Sequence, residues 1–383
     1  MKTPQRTTVV VVLVATLIAL PFLFLYHQPS ISQVLCDIST RIAFNISDTE
    51  QTTRSVPVPK QEISPHEANL NISEANSSDI EGLEPMLAGA ATAGKTVIIT
   101  TLNQAWAAKG AMIDVFLESF YKGENTEFLL NHLVIVALDQ KSFERCQELH
   151  RHCFMLKTEG VDFSGRKGYM TEDFLKMMWR RMVLLRTILE MGYNFVFTDA
   201  DILWFRNPFD HFANNTDFQI SSDKYRGNPG SFNNLPNCGY QYVQSNNRTI
   251  AMYRHWCKGG EDNPTVDEQT LFKRMLRHKE FSTYKVRIQF LETDKFSGFC
   301  QRSRNMTKVV TMHANCCTGM DNKVKDLRQA WKDWDFSRSH ASVNSSRDKL
   351  WHVPAACRHS IWPSPPPRQT KNKVGLSERR PGT

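Results

Sequence analysis

The sequence predicts an α/β fold, a mostly parallel sheet covered by helices on both faces, behind an N-terminal signal anchor. Short β-branched apolar runs alternate with longer helical segments through the middle of the chain. A pair of carboxylates closes one of these runs, at the strand end where such sheets bind ligands. The chain has 383 residues, 41% of them hydrophobic, enough for a sizeable core.

TVIITTL (Thr96 to Leu102) reads as a buried first strand, and a helix should follow over Ala105 to Tyr121. LVIVALD (Leu133 to Asp139) is a second strand, Ser142 to His150 a helix, and HCFML (His152 to Leu156) a third strand. Thr171 opens a long helix with Glu172 and Asp173 in its first turn. It runs to Met191 and stops at Gly192, a plausible residue to follow a helix end. NFVFTDAD (Asn194 to Asp201) is then the fourth strand.

The ends are of other kinds. Val9 to Tyr26 is apolar apart from Thr16 and follows Lys2 and Arg6. At about 1.5 Å per residue it reaches roughly 27 Å, enough to cross a thin bilayer. The basic flank puts residues 1–8 in the cytosol as a short tail and makes 9–26 a signal anchor. A cleaved signal peptide is the competing reading, though the run is long for one and no clear small-x-small site follows. Residues 27–94 are polar and read as a lumenal stem, 95–359 as the folded domain, and 360–383, rich in Pro and charge, as a disordered tail.

Asn-x-Ser/Thr sequons begin at Asn45, Asn71, Asn76, Asn214, Asn247, Asn305 and Asn344. Together with nine cysteines they fit a translocated chain in an oxidising compartment. Buried free thiols are the plainer reading of the cysteines, and the odd number leaves at least one unpaired or bridging chains. The net charge of +8 lies partly in the tail. A translocated chain rarely meets DNA, so acidic small substrates or polysaccharides are better partners than nucleic acid.

The chemistry centres on FVFTDADILWFRNPF (Phe195 to Phe209). On an extended strand Asp199 and Asp201 point to the same side while Ala200 faces away. Two such close charges repel unless a cation joins them. Hard oxygen ligands suit Mg²⁺ or Mn²⁺. The alternative is a strand-end turn in which Asp199 caps a helix. TMHANCC (Thr311 to Cys317) offers His313 as a further ligand; without the aspartates it would read as a core histidine. Cys316 and Cys317 beside it faintly suggest zinc, but disulfides suit the lumenal context better. Arg181 sits among Met177, Met178, Leu184 and Leu185, its neighbours on the helix surface. A guanidinium there needs an anion, either an internal carboxylate or a bound diphosphate.

These segments resemble plant nucleotide-diphospho-sugar transferases, the group that includes cell-wall arabinosyl- and xylosyltransferases. The resemblance spans about Lys95 to Trp334. It rests on TLNQAWA (Thr101 to Ala107), FLESF (Phe116 to Phe120), IVALDQKSFERC (Ile135 to Cys146), LKMMWRR (Leu175 to Arg181), MGYNFVFTDADILWFRNPF (Met191 to Phe209), FLETDKFSGFC (Phe290 to Cys300) and TMHANCC.

The resemblance implies a GT-A-like, Rossmann-like fold whose first half binds the nucleotide and whose second half binds the acceptor. It implies a Mn²⁺ or Mg²⁺ cofactor and a UDP-linked pentose or hexose as donor. Asp199 would contact the ribose or a metal-bound water, and with Asp201 and His313, the direct ligands, would make up the metal site. Thr100, Thr101, Leu102 and Asn103 would cradle the nucleobase and ribose. Arg181, or a lysine elsewhere, would help with the diphosphate. A cell-wall glycan or glycoprotein is the implied acceptor, and a single-pass type II protein of the Golgi membrane with a lumenal catalytic domain the implied location.

Two departures from the family pattern stand out. The usual Asn-x-Gly-Phe segment reads Asn237, Cys238, Gly239 and Tyr240, the last adding a hydroxyl near the expected sugar pocket. The acidic-Gln motif reads Asp267, Glu268 and Gln269 with no histidine before it, leaving open which acid faces the sugar. Two rival readings remain at this point. One is a haloacid-dehalogenase-like phosphatase, which also places Asp-x-Asp after an apolar strand. The other is an inactive glycan-binding relative.

Overall fold

The computed structural model describes residues 79–158, 160–339 and 351–361. The expected anchor and cytosolic tail, the stem up to residue 78 and the tail from 362 lie outside the described residues. Among the described residues no helix is long and apolar enough to cross a membrane.

The first half of the domain alternates as its apolar runs require. In order come α1 (Leu83–Ala90), β1 (Thr96–Leu102), α2 (Gln104–Ala107), α3 (Met112–Lys122), β2 (Leu133–Ala137), α4 (Gln140–Leu149), β3 (Cys153–Met155), α5 (Glu172–Glu190) and β4 (Asn194–Thr198). The second half holds β5 (Ile202–Trp204), β6 (Phe218–Lys224), β7 (Leu235–Val243), α6 (Asn247–Asp262), α7 (Glu268–Met275), β8 (Ile288–Phe290), β9 (Phe296–Gly298), β10 (Thr311–His313), α8 (Met320–Ser339) and α9 (Ala355–Ile361).

The main sheet has the order β3-β2-β1-β4-β7-β6-β8. Only the β4–β7 and β6–β7 pairings are antiparallel, so β7 alone runs against the other strands of this sheet. A smaller sheet of order β5-β10-β9 lies apart from it. Both faces of the main sheet are covered, which is why its central strands are apolar throughout rather than alternating. Val97, Ile99, Phe195 and Phe197 join one core cluster with α5 and α6, while Ile98 and Val196 join a second with α3, α8 and the small sheet.

Several elements differ from expectation for local reasons. The helix expected over 105–121 is two helices, because the backbone turns at Gly110, which has φ +78°. The Gly110 N–H then donates to the Asp114 carboxylate at 2.6 Å, at the start of α3. The second strand ends at Ala137, and Asp139 leaves the sheet to cap α4 by accepting from the Ser142 N–H. The polar segment read as stem up to residue 94 already contains α1. Its Leu83, Leu87 and Ala90 are fully buried at helical spacing. Asp79 just before α1 is tied to buried Arg180 of α5 at 2.8 Å. Gly192 follows α5 with φ +84°, as the helix stop requires.

Six of the cysteines pair as Cys146–Cys153, Cys300–Cys316 and Cys317–Cys357. Cys238 and Cys257 are buried free thiols. A zinc site built on Cys316, Cys317 and His313 is excluded, since both sulfurs are in disulfides.

Candidate functional site

The fourth strand stops sooner than expected, and this creates the site. β4 leaves the sheet at Thr198, and residues 199–201 form a turn. The chain re-enters β structure as β5, which pairs with β10 so that Ile202 lies opposite His313. The Ala314 N–H donates to the Asp201 carbonyl at 3.0 Å, and the Asp199 N–H to the Gly239 carbonyl at 2.7 Å. Backbone pairing therefore carries His313 and Gly239 to the two aspartates from distant parts of the chain. The aspartates converge through this turn, not through an extended strand.

One ligand-type atom from each of Asp199, Asp201 and His313 lies within 4.8 Å of the others. His313 Nε2 is 3.2 Å from Asp201 Oδ1 and 3.9 Å from Asp199 Oδ2. The 3.2 Å approach is off the hydrogen-bond axis, and buried Asp201 Oδ1 makes no hydrogen bond. Asp201, 1% exposed, receives the Lys323 ammonium at 2.5 Å on its other oxygen. Asp199 keeps 31% of its side chain open. Gly239 forms the floor. A Cβ there would stand 2.5 Å from Asp199 Oδ2 and 2.7 Å from His313 Cε1, so no larger residue fits without displacing them.

Charge and burial compete here. Burial pushes the Asp199 carboxyl above its ordinary range, and the Asp201 charge adds to this against the pull of Arg181. Burial also opposes ionisation of Asp201, but Lys323 and His313 outweigh it and hold that carboxyl well below the carboxylate range. Burial alone would lower the His313 pKa; the two aspartates raise it. Two carboxylates and an imidazole suit a hard or borderline divalent cation. The orphaned Asp201 oxygen and the glycine floor fit one.

Behind this trio stands Arg181, 4% exposed. Its Nη1 donates to Asp199 at 3.1 Å and its Nη2 to Glu268 at 2.6 Å. Its planar group also lies 4.7 Å from the Phe197 ring centroid. Of the two anions open to Arg181 from sequence, the structure supplies the internal carboxylates. The Asp267-Glu268-Gln269 segment divides its work. Asp267 caps α7 by accepting from the Thr270 N–H, and Glu268 pairs with Arg181. Gln269 bonds the Cys238 N–H and Asp223.

Asp223, at the end of β6, is a residue the sequence did not single out. It accepts from Asn237 Nδ2 at 2.9 Å, Asn315 Nδ2 at 2.8 Å and Gln269 Nε2 at 3.2 Å. Asn237 Oδ1 in turn receives the Gly239 N–H at 3.0 Å. The result is a wall of amides and a carboxylate next to the trio. Gly298 makes room for Asn315, whose side chain would lie 2.5 Å from a Cβ there.

The first-strand residues are placed differently from one another. Thr100 is sealed in the interior and Leu102 packs in the core, while Thr101 stays partly open. Asn103 caps α2 and donates to the Phe163 and Gly165 carbonyls at 3.1 and 2.9 Å, so its amide clamps a loop. Tyr240 does not enter the polar wall. Successive strand residues face opposite ways, and its ring packs among Trp204, Phe212 and Phe296. A separate depression of about 320 Å³, lined by Arg206, His211, Glu292, Lys295 and Lys308 among others, lies at the other end of β5 and β10 from His313.

Lys323, like Asp223 and Asn315, is a site residue the sequence did not single out. It reaches Asp201 from α8, 122 positions along the chain, and no local pattern marks it. Its ammonium also lies 5.7 Å from the Trp106 ring centroid.

In an open α/β sheet the crevice beyond the carboxyl ends of the strands is where ligands bind, and Asp199 and Asp201 stand just past the end of β4, with His313 brought to them from the small sheet. Residues 128–327 match the family of nucleotide-diphospho-sugar transferases. The chain belongs to that family and is a glycosyltransferase, which replaces the phosphatase and inactive-relative readings. It is 40% identical over 310 residues to an uncharacterized protein of Arabidopsis thaliana, covering 81% of both chains. It is 23% identical over 218 residues to the UDP-D-xylose:L-fucose alpha-1,3-D-xylosyltransferase 3 of Arabidopsis thaliana, covering 50% of this chain and 56% of that one. It is 23% identical over 213 residues to the UDP-galactose:fucoside alpha-3-galactosyltransferase of Dictyostelium discoideum, covering 49% of this chain and 32% of that one.

Proposed function

We propose that the chain moves a pentose or hexose from a UDP-sugar to a glycan or glycoprotein acceptor, using Mn²⁺ or Mg²⁺ held by Asp199, Asp201 and His313. The observation that carries this reading is the convergence of those three side chains within 4.8 Å, with one buried Asp201 oxygen left without a hydrogen bond. UDP as the nucleotide is supported by the two relatives at 23% identity, both named for UDP-sugar donors and for fucose or a fucoside as acceptor.

When bound, the cation would supply positive charge against the departing diphosphate. The chain's own groups do the rest. Arg181 fixes the Asp199 carboxylate in place, and Gly239 keeps the floor low enough for close approach. Lys323 presents a second positive charge beside the cation site, where negative charge develops in the leaving group. Asp223, Asn237, Gln269 and Asn315 offer the directional donors and acceptors that sugar hydroxyls need. If configuration is retained, the leaving phosphate oxygen accepts the acceptor's proton and no separate base is required.

The same proposal places the enzyme in the Golgi membrane as a single-pass type II protein acting on cell-wall glycans. Its support is the apolar run after Lys2 and Arg6, the sequons, and the three disulfides among the described residues.

The test is to incubate the purified full-length chain with Mn²⁺ and a panel of UDP-sugars and to measure UDP release. Release that disappears on adding EDTA and in Asp201→Ala is expected. Silence across the whole panel, or equal release from Asp201→Ala, would overturn the reading.

A further inference from the structure

The connection between β3 and α5 stands at the functional edge of the sheet. β3 runs parallel to β2, β1 and β4 and ends at that edge, and α5 leaves from it to return beneath the sheet. Residues 160–171 are tied down on two sides. Asn103, at the end of β1, holds the Phe163 and Gly165 carbonyls. Arg166 pairs with Asp321 in the first turn of α8 at 3.2 Å, two residues from Lys323. The Arg166 bridge is exposed, so its effect is on position more than on stability.

The segment closes on a tight turn. The Thr171 N–H and hydroxyl both donate to the Gly168 carbonyl, at 3.1 and 2.7 Å. Tyr169 and Met170 are the two residues at its tip. Met170 has φ +62°, a conformation that glycine tolerates and that costs a side-chain-bearing residue roughly 1–2 kcal/mol. Despite that cost the turn exposes its apolar groups: Tyr169 is 74% and Met170 41% exposed. The Tyr169 ring is braced edge-on against Phe174, with centroids 5.4 Å apart. Its phenol lies in the field of Asp267, Glu268 and Asp223. Strain, exposure and bracing together have no use in the folded core. They give a rigid aromatic face on the loop that Asn103 and Asp321 tie to the functional edge of the sheet.

We propose that the Tyr169–Met170 turn is an acceptor subsite that stacks one sugar ring of the acceptor on the exposed face of Tyr169. The C–H face of a pyranose is apolar and packs on an aromatic plane, while its hydroxyls stay directed at polar neighbours. The inference rests on the transferase reading and adds to it the residue that holds the second substrate.

The experiment uses the full-length chain with Mn²⁺ and UDP present. Methyl α-L-fucoside, methyl β-D-xyloside and methyl β-D-galactoside are each examined by saturation-transfer NMR against wild type, Tyr169→Ala and Tyr169→Phe. At least one glycoside should bind wild type and Tyr169→Phe, and bind Tyr169→Ala at least about tenfold more weakly, the size of effect lost with one stacking contact. Circular dichroism checks that the variants are folded, and calorimetry checks that UDP and Mn²⁺ bind all three alike. Equal glycoside binding by Tyr169→Ala, or no glycoside binding by wild type, overturns the subsite. Loss of UDP–Mn²⁺ binding in wild type is a separate outcome, and overturns the transferase reading on which the subsite depends.

Discussion

The Lys323 ammonium lies 2.5 Å from Asp201 Oδ2, while the other oxygen of the same carboxylate is left for His313 or a cation. Lys323 and a divalent ion therefore compete for one buried negative charge. Two charges about 4 Å apart interact by about 4 kcal/mol at an intermediate dielectric, ample to alter ion binding. Lys323→Met should bind Mn²⁺ alone at least tenfold more tightly by calorimetry, while melting at a lower temperature than wild type in EDTA. Weaker Mn²⁺ binding by Lys323→Met would show that the two cations cooperate instead.

Gly239 has a steric role that only its missing side chain can fill. Gly239→Ala would force a Cβ to within 2.5 Å of Asp199 Oδ2 and 3.0 Å of Asn237 Oδ1. Overpacking of this kind costs about 1–3 kcal/mol. The variant should fold, melt at a lower temperature and lose most Mn²⁺ affinity. Unchanged Mn²⁺ affinity would mean that the floor is not a ligand surface.

Arg181 is the positive charge that lets Asp199 and Glu268 lie inside the protein. Removing one partner of a buried ion pair costs about 3–5 kcal/mol. Arg181→Met should therefore unfold at markedly lower urea than wild type, and its loss of activity should follow from that. A stable but inactive Arg181→Met would instead assign the guanidinium to the ligand.

Asp217 gives a pH prediction away from the site. It is almost wholly buried and receives paired bonds from Arg287 and Arg248. Burial opposes its charge, but the two guanidiniums outweigh this and hold the carboxyl well below the usual range. A depressed folded-state pKa gives stability that is full above the unfolded value of about 3.9 and lost as pH falls through the folded one. Wild type should therefore lose stability steeply below about pH 4, and Asp217→Asn less so. At neutral pH the variant should be weaker by about 1.5–3 kcal/mol, the worth of hydrogen bonds to a charged group. Parallel acid titrations of the two melting curves would refute the assignment.

The sequence revealed the parts of this design that are local. The sealed strands β1, β2 and β4 could be read because both sheet faces demand unbroken apolar runs. Asp199 and Asp201 stood out as charges between such runs, and Thr171 and Gly192 marked the ends of α5. Strands β5, β8, β9 and β10 are three residues long, too short for any periodicity to register. Asp223, Asn315 and Lys323 carry no local mark, because their meaning comes only from chain segments that meet in space. The gap in α2–α3 hinged on one backbone angle at Gly110. The convergence of the aspartates was expected for a geometric reason that does not hold: a turn and a second small sheet bring it about.

His313 is followed three and four residues later by Cys316 and Cys317, which are bonded to Cys300 and Cys357 respectively. The imidazole thus hangs on a strand moored by two covalent staples, one of them closing a 40-residue separation to α9. By loop-closure entropy that staple alone is worth roughly 4 kcal/mol. Recombinant protein made where thiols stay reduced would lack both moorings, and its histidine would be free to drift from the aspartates. Preparations from a reducing cytosol and from an oxidising secretory route should then differ in metal uptake despite identical sequence.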